Sequence, residues 1–131
     1  TAGLHIACLA LGVGAGSLVW TSPNSFVASA NCALYCGADV DFVDIDPRTR
    51  NMSVSALSAK LDVAHAKGCL PDVVIPVHFA GFVCDMAAMR QLADKYGFKL
   101  IEDASHAAGA SLDGYPVGSR FADASVFSFH A

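Results

Sequence analysis

The sequence predicts a three-layer α/β/α fold built on a mainly parallel sheet. Helical and strand-like segments alternate along the whole chain, which is the signature of strands joined by crossover helices. The strand-like segments are short and almost continuously apolar, as in 73–77 and 98–101, which is the composition of strands covered on both faces. No repeat, low-complexity tract or linker interrupts that alternation.

Leu4, Ala7, Cys8 and Leu11 lie on one face of a first helix, ended by the run Gly12, Gly14, Gly16. Leu18 to Thr21 is a short strand. Ser25 to Cys36 reads as a helix capped by Asn24 or Ser25 and stopped by Gly37. Val40 to Val43 is a strand that runs into a turn at Asp44, Asp46 and Pro47. A helix capped by Ser53 continues to about Lys67 and closes at Gly68. After the strand Val73 to Val77, Asp85 caps a helix to Tyr96, closed by Gly97. Phe98 to Ile101 is a buried strand ending on Glu102 and Asp103, and Ser125 to Phe129 is the last strand. The chain begins on an apolar helix without a cap and stops at Ala131 in mid-element. It therefore reads as a fragment, incomplete at both ends.

Composition narrows the function classes. Hydrophobic residues make up 54% of the 131 positions and charged residues only 15%, against ~25% in an average globular chain. The glycines at 12, 14 and 16 break the longest apolar stretch before it can span a bilayer, and no signal-peptide pattern opens the chain. The excess apolar surface is expected to pack against further chain or a second subunit. The net charge of −4, with no basic cluster, argues against nucleic-acid binding. Cys8, Cys32, Cys36, Cys69 and Cys84 show no paired C-x-x-C spacing. They read as reduced, buried, small hydrophobes, which points to the cytoplasm and away from zinc.

In open parallel sheets, ligands bind beyond the carboxyl ends of the strands. Glu102 and Asp103 sit at such an end, where a buried carboxylate needs a cationic partner or a proton. A protonated pyridine nitrogen is one such partner. A metal ligand, or a cap for a helix from Ala104 onward, is the other reading of the position. His106 follows Asp103 by three residues, so a helical turn would bring both to one side. Thr1, Ala2 and Gly3 open a helix whose free N–H groups suit a phosphate, and Ser128 could add a hydroxyl to the same anion. Phe26 follows a Ser-Pro-Asn turn and could stack on a flat cofactor or simply join the core. His78 reads as a structural hydrogen-bonding residue, and His5 and His65 as helix positions without partners. The glycines at 12, 14 and 16 imitate a dinucleotide fingerprint. However, they follow a helix and precede a strand, the reverse of the required order.

Taken in order, Thr1-Ala-Gly-Leu-His5, Leu9 to Gly16, Ser22-Pro-Asn-Ser-Phe-Val-Ala-Ser-Ala-Asn31, Phe42-Val-Asp-Ile-Asp46, Ile75-Pro-Val-His-Phe-Ala-Gly81, Ile101-Glu-Asp-Ala-Ser-His106, Val117-Gly-Ser119 and Phe127-Ser-Phe-His130 resemble the DegT/DnrJ/EryC1/StrS family of sugar aminotransferases. The resemblance runs end to end. It implies fold type I, the chain being part of the large domain that binds pyridoxal 5'-phosphate, in a homodimer. It also implies that Asp103 pairs with the pyridine nitrogen, Phe26 stacks on the ring and His106 approaches near the ring hydroxyl. Ser128 and the backbone of Thr1 and Ala2 would hold the phosphate. No catalytic residue is then expected within the chain, because the cofactor-anchoring lysine is expected about two residues beyond Ala131, and the fragment alone should not transaminate. His130-Ala131 also replaces the family's commoner aromatic-Pro pair.

The implied activity is amino transfer from glutamate to a nucleotide-linked keto-sugar. The stretch from Ser22 to Gly37 most resembles the enzymes of pseudaminic acid synthesis, which aminate a UDP-linked 4-keto-6-deoxy amino sugar at carbon 4. Two other readings remain open. One is a sugar dehydratase of the same family, with histidine in place of the lysine; the other is a relative that binds the cofactor without turnover.

Overall fold

The computed structural model describes residues 1–130. Five parallel strands form the sheet in the order β2-β1-β3-β4-β7: β1 is Leu18–Thr21, β2 Asp39–Phe42, β3 Val73–Ile75, β4 Lys99–Asp103 and β7 Ala124–Val126. The chain goes outward from β1 to β2, then returns to the other side of β1 and proceeds through β3 and β4. The strand order therefore reverses between β1 and β3, where open α/β sheets form a crevice.

Alternation along the strands builds the two outer layers. Val19, Ile75 and Ile101 face the helices α1 (Ala2–Ala10) and α2 (Ala28–Tyr35). Trp20, Val74 and Leu100 face α3 (Val54–Lys67) and α4 (Met86–Tyr96). On the second side Leu57, Leu61, Met86, Met89 and Phe98 are buried, each contributing about 1.5–3 kcal/mol relative to an exposed side chain. The three-layer, mainly parallel expectation is met.

Both predicted caps of the second layer are present. Ser53 Oγ accepts from the Ala56 N–H and Asp85 Oδ1 from the Ala88 N–H, satisfying donors that a helix start leaves unpaired. Other boundaries differ from the sequence reading. The second helix begins at Ala28, with Val27 at the cap position and no side-chain cap, so Asn24 and Ser25 belong to the preceding loop. The last strand stops at Val126, which leaves Ser128 beyond it. No helix follows Asp103, and residues 105–106 form a turn instead. A two-stranded hairpin, β5 (Ser111–Leu112) with β6 (Tyr115–Pro116), turns through Asp113 and Gly114, both with positive φ.

The cysteines are all free, as expected, but not all buried: Cys69 is exposed and Cys36 half-buried. Burial pushes the Cys84 thiol up to about 12, so it is an inert core group. His5 and His65 do have partners, meeting Tyr35 and Tyr96 edge-on. Among the described residues no helix is long and apolar enough to cross a membrane.

Candidate functional site

The carboxyl ends of the strands converge on a cavity of about 960 Å³. The structure brings Thr1, Phe26, Asp103, His106 and Ser128 together in its lining; Ala2 opens α1 behind Thr1 and is not part of the lining. His130 lines it too, whereas Ala131 lies outside the described residues.

Glu102 and Asp103 are adjacent but serve opposite faces of the sheet. Glu102 has the parity of Leu100 and Asp103 that of Ile101, so only Asp103 points toward α1 and α2. Glu102 is spent on structure. Its Oε1 lies 3.2 Å from His78 Nε2, and its Oε2 accepts from Ser125 Oγ at 2.7 Å. His78 Nδ1 accepts from the Cys84 N–H, which leaves Nε2 as the protonated nitrogen that donates to Glu102. Burial pushes the Glu102 carboxyl up, but the bonds from His78 and Ser125 outweigh it and hold it below its ordinary value. His78 therefore has the structural role expected of it.

Asp103 is 5% exposed and forms no salt bridge among the described residues. Its donors are neutral. Ser29 Oγ donates to Oδ2 at 2.8 Å, and the Ser105 N–H and Oγ donate to Oδ1 at 3.2 and 2.6 Å. Both serines escaped sequence reasoning. The capping alternative is not met, because no helix starts at Ala104; Oδ1 instead pins the turn at Ser105, and the same carboxyl group lines the cavity. A buried carboxylate without a cation suits a cationic ligand group in that cavity.

Around this carboxylate, close backbone approaches set the walls. A Cβ on Gly3 would stand 2.8 Å from Val126 Cγ1, so glycine lets the start of α1 lie against β7 and beside the loop carrying Ser128. Thr1 makes no side-chain cap and no acidic residue occupies the first turn, leaving these N–H groups for an anion. Opposite, the loop after His78 turns back through Ala80 (φ 51°) and Gly81 (φ 84°). A Cβ on Gly81 would stand 2.9 Å from the His106 carbonyl oxygen, so this glycine sets the distance between the two loops. Asn51 braces the first loop by accepting from the Phe79 N–H and donating to the Phe82 carbonyl. Phe26, on the loop after β1, exposes 75% of its surface at the cavity edge and does not join the core. Within the described residues no cluster of His, Cys, Asp and Glu could hold a metal ion.

The fold has solved counterparts. An aminotransferase TlmJ from Streptoalloteichus hindustanus is similar at 33% identity and a TM-score of 0.86, over 98% of this chain and 33% of its own. A DegT DnrJ EryC1 StrS aminotransferase from Brucella abortus is similar at 31% identity and a TM-score of 0.83, over 88% of this chain and 31% of its own. The putative sugar aminotransferase Spr1654 from Streptococcus pneumoniae, in its PMP form, is similar at 29% identity and a TM-score of 0.83, over 99% of this chain and 35% of its own. Spr1654 is also known in a PLP form. The chain thus spans about a third of the length of each of these structures, and the PMP and PLP forms of Spr1654 indicate pyridoxal phosphate as the cofactor. The model of the DegT/DnrJ/EryC1/StrS aminotransferase family matches residues 1–131, and the chain belongs to that family.

Proposed function

We propose that this chain is part of the large, cofactor-binding domain of an aminotransferase that moves an amino group from glutamate to a nucleotide-linked keto-sugar. The observation that carries the reading is Asp103, a buried carboxylate with no cationic partner among the described residues, at the wall of the strand-end cavity. In this reading Asp103 holds a proton at the pyridine nitrogen, and Phe26 covers one face of the ring. His106 approaches the ring hydroxyl. The Ser128 hydroxyl and the N–H groups of Thr1 and Ala2 hold the phosphate at the start of α1. Bound there, pyridoxal phosphate supplies the electron sink that amino transfer needs. The lysine that anchors it belongs just after Ala131.

The substrate we favour is a UDP-linked 4-keto-6-deoxy amino sugar, aminated at carbon 4 for cell-surface polysaccharide or nonulosonic acid synthesis. The resemblance from Ser22 to Gly37 supports it. Exposed apolar side chains on the outer faces of α1 and α2, among them Ile6, Leu9, Leu34 and Tyr35, support a homodimer or cover by further chain. A cytoplasmic location accords with the five free thiols.

Borohydride reduction of the PLP-loaded full-length protein, followed by peptide mapping, tests the reading. A label on a lysine just past Ala131, with loss of glutamate-dependent amino transfer in Asp103→Ala, is the expected result. Cofactor binding without a labelled lysine points instead to the dehydratase or to a relative without turnover.

A further inference from the structure

Asp103 is held by two serines, and the two do different work. Ser105 places both its N–H and its hydroxyl on Oδ1, which uses the two acceptor sites of that oxygen. Ser29 places one hydroxyl on Oδ2, which leaves that oxygen a second acceptor site. Oδ2 is therefore the oxygen able to take a further donor, and Ser29 is the residue bonded to it.

The direction of the bonding follows. A carboxylate only accepts, so the single hydroxyl proton of Ser29 is committed to Asp103. The contact between Ser25 Oγ and Ser29 Oγ at 2.7 Å must then have Ser25 donating. The order is Ser25 to Ser29 to Asp103, and Ser25 is the residue before Phe26. This relay joins the loop that carries the exposed ring to the carboxylate beneath it. Ser29 itself is 1% exposed, on the first turn of α2, where no solvent molecule can substitute easily for its hydroxyl.

We propose that Ser29 is a positioning residue that turns Oδ2 of Asp103 toward the pyridine nitrogen of the cofactor. The inference rests on the cofactor reading above. Without the Ser29 hydroxyl, the carboxylate keeps only its Ser105 anchor and can rotate about its last torsion. The contact with a bound pyridine N–H then lengthens.

The test uses the full-length protein and two readouts, PLP affinity of the apoprotein and the nitrogen-15 resonance of bound, ring-labelled PLP. Ser29→Ala is expected to weaken affinity about tenfold, the loss of one hydrogen bond to a charged group, and to move the resonance toward that of a neutral pyridine. A Ser29→Ala protein whose bound resonance matches wild type, whatever its affinity, overturns the inference, because a packing role would leave the ring nitrogen untouched. Asp103→Asn separates the two levels. If it too leaves the resonance unchanged, the pairing of Asp103 with the ring nitrogen fails, and the Ser29 role falls with it. If it moves the resonance while Ser29→Ala does not, only the Ser29 role falls.

Discussion

Replacing Glu102 probes the buried network behind the site. Its carboxylate is 2% exposed and accepts from His78 Nε2 and Ser125 Oγ, joining the loop after β3, β4 and the last strand. In Glu102→Ala the imidazole N–H and the serine hydroxyl lose their acceptor in a dry setting. Each orphaned neutral group costs about 1–3 kcal/mol, so the two together cost about 2–6 kcal/mol. Glu102→Gln keeps the shape, its amide oxygen still accepts from His78, and its NH₂ can donate to Ser125; the loss should be about 1 kcal/mol. The carboxyl is held below its ordinary value of 4.5 in the folded state. Its contribution is therefore complete above about pH 4.5 and lost as pH falls through the lower folded value, so stability should drop on acidification. Glu102→Gln should remove that part of the acid sensitivity. Urea midpoints of the full-length apoprotein at neutral and acidic pH measure both effects. The reasoning is refuted if Ala and Gln at this position cost the same, or if the Gln protein loses stability with acid as steeply as wild type.

Phe26→Ala should weaken PLP retention without lowering the melting temperature, because the ring is mostly exposed and supports no core; unchanged affinity in a titration contradicts its stacking role. Gly81→Ala should cost about 1–3 kcal/mol from its left-handed backbone and its contact with the His106 carbonyl, read by denaturant midpoint. Because that contact separates two loops of the cavity, the same substitution should also reduce cofactor affinity. Ser53→Ala and Asp85→Ala should each cost about 1 kcal/mol, and the double variant should show the sum within about 0.5 kcal/mol.

The layering was legible because burial on both faces leaves strands no polar side to mark, and the caps Ser53 and Asp85 announce their helices by local chemistry alone. The start of α2 was not. Ser25 has a capping side chain, but tertiary geometry turns it to Ser29, and the helix begins three residues later without a side-chain cap. The hairpin at 111–116 did carry a signal, since Asp113-Gly114 is a favoured two-residue turn between strands. At the site, Asp103 could be found from its place at a strand end. Which of Glu102 and Asp103 faces the cavity follows from the period of two, once the strand is known to include both. Ser29 and Ser105 could not be assigned in the same way. Ser29 is 74 positions from its partner, and only the packing of α2 on the sheet brings them together.

The nitrogen-15 resonance of ring-labelled PLP bound to the full-length protein tests the assignment of Asp103 most directly. A protonated pyridine in wild type that becomes neutral in Asp103→Asn is the predicted result. A neutral pyridine in wild type, or a protonated one that persists in the Asn variant, would mean that Asp103 does not hold the ring nitrogen.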